Sequence, residues 1–207
     1  MSTKPTKKFE SEIRILIKDI NAFLKKLEEF KANVIYHYKF IDYIYIPKNT
    51  TSNWNPNKKT MRIREHILPE QYSQILFTEN EVIQGEIFQF KQSKYPQGKI
   101  ELFRGNRATA EALLHSWEFR PLFKIEKLNG KLYEIEHPKK FIIAVEEITQ
   151  LGFSAEIERW GENLLSIEKE FLEIIKLLEI PLELVTSNTL PYIVAERLNI
   201  LFENYDN

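Results

Sequence analysis

Charged side chains occupy alternate residues in the stretch Phe9–Ile17, a pattern typical of a strand with one polar and one apolar face. Glu10, Glu12 and Arg14 share the polar face, where neighbours in a strand lie about 6 to 7 Å apart. Two carboxylates at that separation repel each other unless a cation lies between them. The row is therefore either a solvated sheet face with ion pairs to a neighbouring strand, or a wall that faces an interior cavity.

Basic residues repeat the same two-residue period further along the chain. Arg62 and Arg64 share one face of a short strand pattern whose hydrophobic neighbours point the other way. Two guanidinium groups placed in this way can grip an anion through paired hydrogen bonds. Lys91, Lys124 and Lys127 occur in two later strand patterns. This set of side chains suits phosphate groups.

Acidic residues return late in the chain, as Glu146 and as the pair Glu156 and Glu158. If all these rows face one interior, burying them without compensation would be prohibitive, so that interior must hold water, ions or a ligand. The residues expected to line it are Glu10, Glu12, Arg14, Arg62, Arg64, Lys91, Glu101, Lys124, Lys127, Glu146, Glu156 and Glu158. Clustered carboxylates suit Mg²⁺ or Mn²⁺, so a metal with a polyphosphate would satisfy both signs at once.

Strand patterns supply the elements that position these rows. After the first strand they are expected at residues 34–47, 61–65, 88–92, 99–103, 122–127, 131–136, 141–148 and 155–160. Asn129-Gly130 is expected to form the turn of a hairpin. Residues 66–85 are interpreted as an insertion or mobile loop with at most a short strand at 75–78, and residues 49–60 as a polar loop.

Helical patterns with apolar stripes lie between and after the strands. They are expected from the N-cap Asp19 to about residue 30, from the cap Thr109 to Trp117, at residues 162–179, and from about Pro191 to residue 202. These stripes need an apolar partner, which the outward faces of the strands would supply. Short turns between strands favour closure, because closure removes unpaired edges. The expected fold class is α+β: a closed antiparallel eight-stranded β-barrel, or tunnel, with a charged lumen and helices packed on the outside.

Composition narrows the classes of protein to consider. The chain of 207 residues, 43% of them hydrophobic, is expected to be one domain over 1–207, with its core at about 9–180 and a C-terminal helical extension at 181–207. A net charge of -1 argues against a nucleic-acid partner, and the absence of cysteine excludes thiolate–metal sites. With no signal-peptide pattern after the basic first residues and no long apolar run, the expectation is a cytoplasmic protein without a membrane partner. A homodimer stays open.

Four of these stretches resemble marks of the CYTH superfamily, the triphosphate tunnel metalloenzymes, which includes class IV adenylate cyclases and thiamine triphosphatases. The family marks are Glu-x-Glu-x-Lys, a paired-arginine strand, Thr-x-Lys, and a late Leu-Gly followed by Glu-x-Glu. The matching stretches are Glu10-Ser11-Glu12-Ile13-Arg14, Met61-Arg62-Ile63-Arg64, Phe88-Gln89-Phe90-Lys91 and Leu151-Gly152-Phe153-Ser154-Ala155-Glu156-Ile157-Glu158. They occur in the family's order, and the resemblance covers about residues 9–180.

The resemblance implies a divalent-metal-dependent enzyme that acts on a nucleotide or small organic triphosphate in the lumen, either as an adenylate cyclase or as a phosphohydrolase. The implied cofactor is Mg²⁺ or Mn²⁺, and the implied ligand is a triphosphate-bearing small molecule such as ATP, thiamine triphosphate or tripolyphosphate. The triphosphate-binding residues would be Arg14, Arg62, Arg64, Lys91, Lys124 and Lys127. The metal ligands would be Glu10, Glu12, Glu146, Glu156 and Glu158. No catalytic residue is assigned.

The chain also departs from the family marks. Arg14 and Glu146 stand where the family has Lys and Asp, Gln89 replaces a Thr, and the Arg usual after Lys127 is absent, with Lys131 nearby. These departures leave open a non-catalytic polyphosphate or nucleotide-binding protein with the same tunnel. A third interpretation, a ligand-carrying barrel with an apolar lumen and solvated charged rows, also remains open.

Overall fold

The computed structural model describes residues 8–49 and 54–200. The strands are β1 (Phe9–Ile17), β2 (Asn33–Pro47), β3 (Lys59–Leu68), β4 (Tyr72–Gln84), β5 (Gln89–Ser93), β6 (Ile100–Gly105), β7 (Phe119–Ile135), β8 (Phe141–Ile148), β9 (Gly152–Gly161) and β10 (Val185–Thr186). The α-helices are α1 (Ile20–Glu29), α2 (Arg107–Ser116), α3 (Leu164–Leu177) and α4 (Leu190–Arg197), and a short 3-10 helix spans Leu182–Leu184. Within the described ranges no helix is both long enough and apolar enough to cross a bilayer.

Eight strands form a closed antiparallel ring in the order β1, β5, β4, β3, β2, β7, β8 and β9, and β9 pairs back onto β1. Outside this ring β6 pairs with β4, and β10 pairs with β1. The expected fold class is confirmed, because the chain combines α-helices with eight antiparallel strands that close on themselves.

The alternation of side chains along the strands turns the charged rows inward. On β1, Ile13 and Ile15 are fully buried in the main hydrophobic core, together with Phe171 and Ile174 of α3. The residues between them point to the other face, into the ring. The expected inside-out arrangement is therefore confirmed: the apolar faces of the strands meet the helices, and the charged faces surround the interior.

Helix α3 also fixes a turn of the ring. The carboxylate of Glu168 accepts the backbone N–H groups of Glu86, Ile87 and Phe88, at 2.9, 2.8 and 3.2 Å. These three donors would otherwise lack partners at the turn between β4 and β5. The contact holds the start of β5, the strand that carries Lys91, against the helix layer.

The interpretation of residues 66–85 as an insertion or mobile loop is wrong, since β4 runs from Tyr72 to Gln84. Ser73, Gln74, Ile75 and Leu76 are all buried, so polar and apolar residues are both enclosed and no clear alternation marks the strand. Because β4 pairs with β3, β5 and β6, its backbone edges are hydrogen-bonded along much of its length, and the strand is an integral part of the sheet.

The expected hairpin turn at Asn129-Gly130 is also wrong, because β7 continues without a turn from Phe119 to Ile135. The strand carries a register irregularity between Lys127 and Asn129 instead. A Cβ atom at Gly130 would lie 2.2 Å from the ring of Tyr38. Any other residue at this position would force the Tyr38 ring to move, so glycine is favoured here by a close approach between two paired strands, and not by a turn.

Two helix boundaries differ from expectation. Helix α2 begins at Arg107 with Asn106 as its N-cap, so the expected cap Thr109 lies in the first turn, where its N–H is the group that Asn106 accepts. Helix α4 ends at Arg197, and residues 201–202 of the expected last helix lie outside the described residues. The same holds for residues 50–53 of the expected polar loop.

Candidate functional site

The ring encloses a cavity of about 630 Å³, which falls in the range of small-molecule sites. Ten of the eleven residues proposed for metal or triphosphate binding line this cavity, namely Glu10, Glu12, Arg14, Arg62, Arg64, Lys91, Lys127, Glu146, Glu156 and Glu158. Strands from all sides of the ring contribute, so the site exists only when the ring is closed.

Lys124 is the one of the eleven that does not line the cavity. Its side chain is 57% exposed and pairs with Glu126 at 2.5 Å. Two other residues weighed from the sequence also lie elsewhere: Glu101 pairs with Arg104 on β6, outside the ring, and Lys131 is not among the lining residues. Strand β7 turns Lys127 inward, and the neighbouring basic residues face other directions.

A carboxylate cluster forms where β1 and β9 pair. Glu12 lies opposite Glu158, and Glu10 is one alternate position further along β1. One oxygen from each of these three carboxylates lies within 4.8 Å of the other two. Burial, together with the charges of Glu158 and Glu12, raises the pKa of Glu10 to about 7, and burial beside Glu12 raises the pKa of Glu158. Three oxygen ligands that gain from a nearby cation fit a hard divalent ion.

Lys91 on β5 faces this cluster from the neighbouring strand. Its Nζ atom is 2.5 Å from Oε1 of Glu12, and both side chains are buried. Burial opposes the charge on Glu12, but the Lys91 ammonium and the Arg14 guanidinium outweigh it and lower the pKa of this carboxyl. Glu12 therefore stays ionised, and the acidic cluster adjoins a basic group.

A second cluster gathers around Glu146 on β8. Its carboxylate accepts the Tyr38 hydroxyl at 2.6 Å and the Lys127 ammonium at 2.5 Å, and it lies 3.3 Å from Nη1 of Arg14. The other terminal nitrogen of Arg14 pairs with Glu156. Of the five carboxylates proposed as metal ligands, the structure thus brings three together and places Glu146 and Glu156 against Arg14.

The paired arginines meet a carboxylate that the sequence analysis missed. Asp42 on β2 accepts Nε and Nη2 of Arg64, both at 2.8 Å, and lies 3.8 Å from Nε of Arg62. Burial opposes ionisation of Asp42, yet the two guanidinium groups hold its pKa well below the usual range. The signal was a lone acidic residue inside the otherwise uncharged stretch of residues 40–46.

The Arg62 guanidinium is less fully satisfied than that of Arg64. Its Nε atom is buried without a hydrogen-bond partner among the described residues, while the Cζ atom of Arg64 lies 3.7 Å from the centre of the Phe40 ring. A buried donor without an acceptor costs free energy, and an anion in the cavity would supply one.

An apolar layer closes one end of the ring. Ile44, Ile125 and Ile148 lie two residues along their strands from Asp42, Lys127 and Glu146, and they pack with Leu190 and Val194 of α4. The start of α4 is fixed by the Thr189 hydroxyl, which donates to the carbonyl of Pro56 at 2.9 Å. We therefore expect a ligand to reach the charged groups from the side away from α4.

Comparison with solved structures finds the same fold in proteins of low sequence identity. A protein of Pyrococcus horikoshii OT3, PH1819, matches with a TM-score of 0.68 at 16% identity, over 91% of this chain and 99% of its own. A Vibrio parahaemolyticus protein, provisionally named an adenylate cyclase, matches with a TM-score of 0.65 at 13% identity, over 94% and 99%. HpAC1 of Hippeastrum, provisionally named an adenylyl cyclase and described as having a dominant triphosphatase activity, matches with a TM-score of 0.60 at 12% identity, over 94% and 97%.

These matches span nearly the whole chain, so they establish that the chain has the fold of these proteins. The expected ring of strands with helices packed on its outside is therefore shared with these proteins. Comparison with family models gives no match, and comparison with the sequences of curated proteins gives none either.

Proposed function

We propose that the chain is an enzyme that acts on the triphosphate group of a nucleotide or small organic triphosphate, with Mg²⁺ or Mn²⁺ as its cofactor. The observation that carries this proposal is the division of one closed-ended cavity into an acidic wall and a basic wall. Glu10, Glu12 and Glu158 form the first, and Arg62 and Arg64 belong to the second. A metal-bound triphosphate carries a cation and a chain of anionic oxygens, and it satisfies both walls together.

The three clustered carboxylates are the residues that would hold the metal. Their number, their oxygen chemistry and the raised pKa values of Glu10 and Glu158 fit a divalent ion of this kind. When bound, such an ion neutralises charge on the phosphate oxygens and polarises the phosphorus under attack. No thiol or histidine cluster competes for this role among the residues that the structure describes.

The basic residues of the chain would bind and orient the phosphates. The buried Nε–H group of Arg62 has no hydrogen-bond partner among the described residues and could donate to a phosphate oxygen. The guanidinium of Arg64 donates to Asp42 and lies over the Phe40 ring. Lys91 and Lys127 lie on strands at other sides of the same cavity. Burial lowers the pKa of Lys127 to about 8, although the charge of Glu146 opposes this shift. Catalysis would follow chiefly from positioning and from compensation of charge on the phosphates.

Two reactions are compatible with this arrangement. If water attacks the terminal phosphorus, the bond to the bridging oxygen breaks and the products are orthophosphate and the corresponding diphosphate. If a ribose 3′-hydroxyl attacks the α-phosphorus, the hydroxyl proton leaves and the products are a cyclic nucleotide and pyrophosphate. The similarity to HpAC1 makes hydrolysis the first reaction to test.

The test is incubation of the purified protein with Mg²⁺ or Mn²⁺ and with ATP, thiamine triphosphate or tripolyphosphate. Phosphate release and cyclic nucleotide are measured separately by chromatography. Product from at least one substrate is expected, and Lys127→Ala should lose most of it. Lys124→Ala is the matched control, because it removes a lysine of the same strand whose side chain lies outside the cavity. Absence of product from all three substrates would remove the enzymatic proposal.

One observation favours a second candidate, a polyphosphate or nucleotide-binding protein that does not turn its ligand over. Asp42 already accepts hydrogen bonds from Nε and Nη2 of Arg64. The carboxylate of Glu146 contacts Tyr38, Lys127 and Arg14. The basic groups are therefore largely compensated before any ligand enters. Tight binding of tripolyphosphate without product would select this candidate over the enzyme.

A further inference from the structure

The open end of the cavity is built from a different kind of residue than its charged interior. On β2 the residues Tyr36, Tyr38 and Phe40 occupy alternate positions and line the cavity. Their rings follow one another, with centroids 5.9 Å apart from Tyr36 to Tyr38 and 5.3 Å apart from Tyr38 to Phe40, both pairs stacked. Exposure falls from 45% at Tyr36 to 8% and 5% at the next two. The three rings thus form a row that leads from solvent to the arginines.

Apolar side chains from other strands complete this entrance. Trp160 on β9 is the strand partner of Glu10 on β1. Its side chain lines the cavity and is 51% exposed. Ile142 on β8 is 40% exposed and lines the same cavity, as does Leu132, which is the β7 partner of Tyr36. We call the group Tyr36, Leu132, Ile142 and Trp160 the aromatic entrance. Large apolar side chains left in water beside a polar site are typical of a ligand contact.

None of the four side chains of the aromatic entrance carries a charge. Lys140 also lines the cavity, but its ammonium is paired with Glu134 at 2.8 Å and with Glu136 at 2.9 Å. The exposed faces of Trp160 and Tyr36 instead offer flat π-surfaces, on which a planar ring can stack. The occupant that fits is therefore an uncharged planar group attached to the phosphates bound deeper in the cavity.

We infer that the aromatic entrance is the binding site for a planar aromatic ring carried by the substrate, so that the protein prefers aromatic triphosphates over alkyl or inorganic ones. This inference rests on the proposed function, because the phosphates must bind at the arginines for the ring to reach Trp160 and Tyr36. It goes beyond that proposal by naming the part of the substrate that distinguishes one triphosphate from another.

The test compares two ligands with equal phosphate chemistry in the presence of Mg²⁺. They are the β,γ-imido analogues of 3′-deoxyATP and of its abasic counterpart, in which hydrogen replaces adenine at C1′, and neither terminal hydrolysis nor 3′-hydroxyl attack can consume them. Calorimetry gives the dissociation constant of each, and the ratio of the two constants reports the contribution of the ring. We expect the aromatic ligand to bind about tenfold more tightly, and Trp160→Leu to bring the ratio close to one.

Controls separate this result from a folding defect. Trp117→Leu removes a tryptophan that is exposed at the end of α2 outside the cavity, and it should keep the ratio of the unchanged protein. If Trp160→Leu does not fold, Tyr36→Leu serves as the second variant. The aromatic ligand should also quench the fluorescence of Trp160, one of three tryptophans in the chain, and this quenching should vanish in Trp160→Leu.

The outcomes distinguish this inference from the proposed function. Equal affinity for both ligands, unchanged in the variant, would overturn the aromatic entrance and leave a triphosphate site in place. Failure of both ligands to bind would instead remove the triphosphate site itself, and the entrance with it.

Discussion

Glu12 on β1 lies directly opposite Glu158 on β9, at the seam where the first and last strands of the ring close on each other. Closure of the ring therefore assembles the carboxylate cluster, to which Glu10 adds a third oxygen ligand within 4.8 Å. Fold and site are coupled at this seam, because the same pairing that removes the last free edge also brings like charges together. The repulsion between them is what a bound cation would relieve.

The first prediction concerns the pH dependence of metal binding. Burial and the neighbouring carboxylates raise the pKa of Glu10 to about 7, so in the metal-free protein a proton occupies this carboxyl below that pH. A metal must displace the proton, and the affinity for Mn²⁺ should therefore increase as the pH rises from about 6 to about 8. Calorimetry in buffers of different ionisation enthalpy measures both the affinity and the protons released.

Glu10→Gln should bind Mn²⁺ more weakly and lose most of this pH dependence. Glu101→Gln is the control, because it removes a carboxylate that pairs with Arg104 outside the ring, and its profile should match the unchanged protein. A flat profile for the unchanged protein between pH 6 and pH 8 would show that Glu10 is not a ligand.

The second prediction concerns acid stability. Burial opposes ionisation of Glu146, but Lys127, Arg14 and the Tyr38 hydroxyl lower its pKa to about 2 from the ordinary 4.5. A carboxyl whose pKa is depressed by folding stabilises the protein fully above its unfolded pKa, and this stabilisation is lost as the pH falls through the folded value. About 3 kcal/mol of the free energy of unfolding should disappear between pH 4.5 and pH 2 on this account. Urea unfolding at a series of pH values measures it, and Glu146→Gln should flatten the curve over the same window.

The third prediction concerns Asp42 as an internal competitor of phosphate. It accepts two hydrogen bonds from Arg64 and carries a negative charge inside the cavity. Asp42→Asn keeps the shape but removes the charge, so tripolyphosphate should bind about tenfold more tightly. Titration calorimetry with tripolyphosphate and Mg²⁺ measures the change, with Glu126→Gln as a control that removes a carboxylate paired with Lys124. Weaker binding in Asp42→Asn would mean that this residue positions the arginines for the ligand.

The fourth prediction concerns the close approach of β2 and β7. Gly130→Ala would place a Cβ atom 2.2 Å from the Tyr38 ring, and this ring is the one whose hydroxyl donates to Glu146. The ring must move, so the free energy of unfolding should fall by about 1 to 3 kcal/mol. Thermal and urea unfolding measure the loss, and Leu128→Ala, which alters an exposed residue of the same strand, should stay within about 0.5 kcal/mol. Equal stability of the two variants would show that the ring relaxes freely.

Sequence patterns predicted the parts of this fold in which one face is uniformly charged and the other uniformly apolar. The first strand, Phe9–Ile17, and the helix capped by Asp19 follow their patterns closely. The patterns failed at β4, where Ser73 and Gln74 are polar but buried, so polar and apolar residues do not alternate. They also failed at Gly130, where the glycine allows close packing against Tyr38 and does not mark a turn. Local periodicity cannot show which strands become neighbours, and both failures depend on neighbours.

The candidate site shows the same division. Alternation predicted which residues of each strand face inward, and ten of the eleven residues do line the cavity. Lys124 lies three residues before the inward-facing Lys127, and this odd separation places the two side chains on opposite faces of β7, so Lys124 is turned outward. Alternation could not predict how the inward residues pair across the cavity. Asp42 was missed, and Glu146 was grouped with Glu10 although it meets Arg14 and Lys127. These pairings depend on strand order and closure, which are properties of the whole chain.

The most direct test of the account is a crystal structure of the protein grown with Mn²⁺ and tripolyphosphate, with the metal located by its anomalous scattering. We predict an anomalous peak among the carboxylates of Glu10, Glu12 and Glu158, and phosphate density that extends from it to Arg62 and Arg64. Mn²⁺ or tripolyphosphate bound only outside the ring, with the cavity holding water alone, would contradict the claim that the charged rows form one metal and triphosphate site.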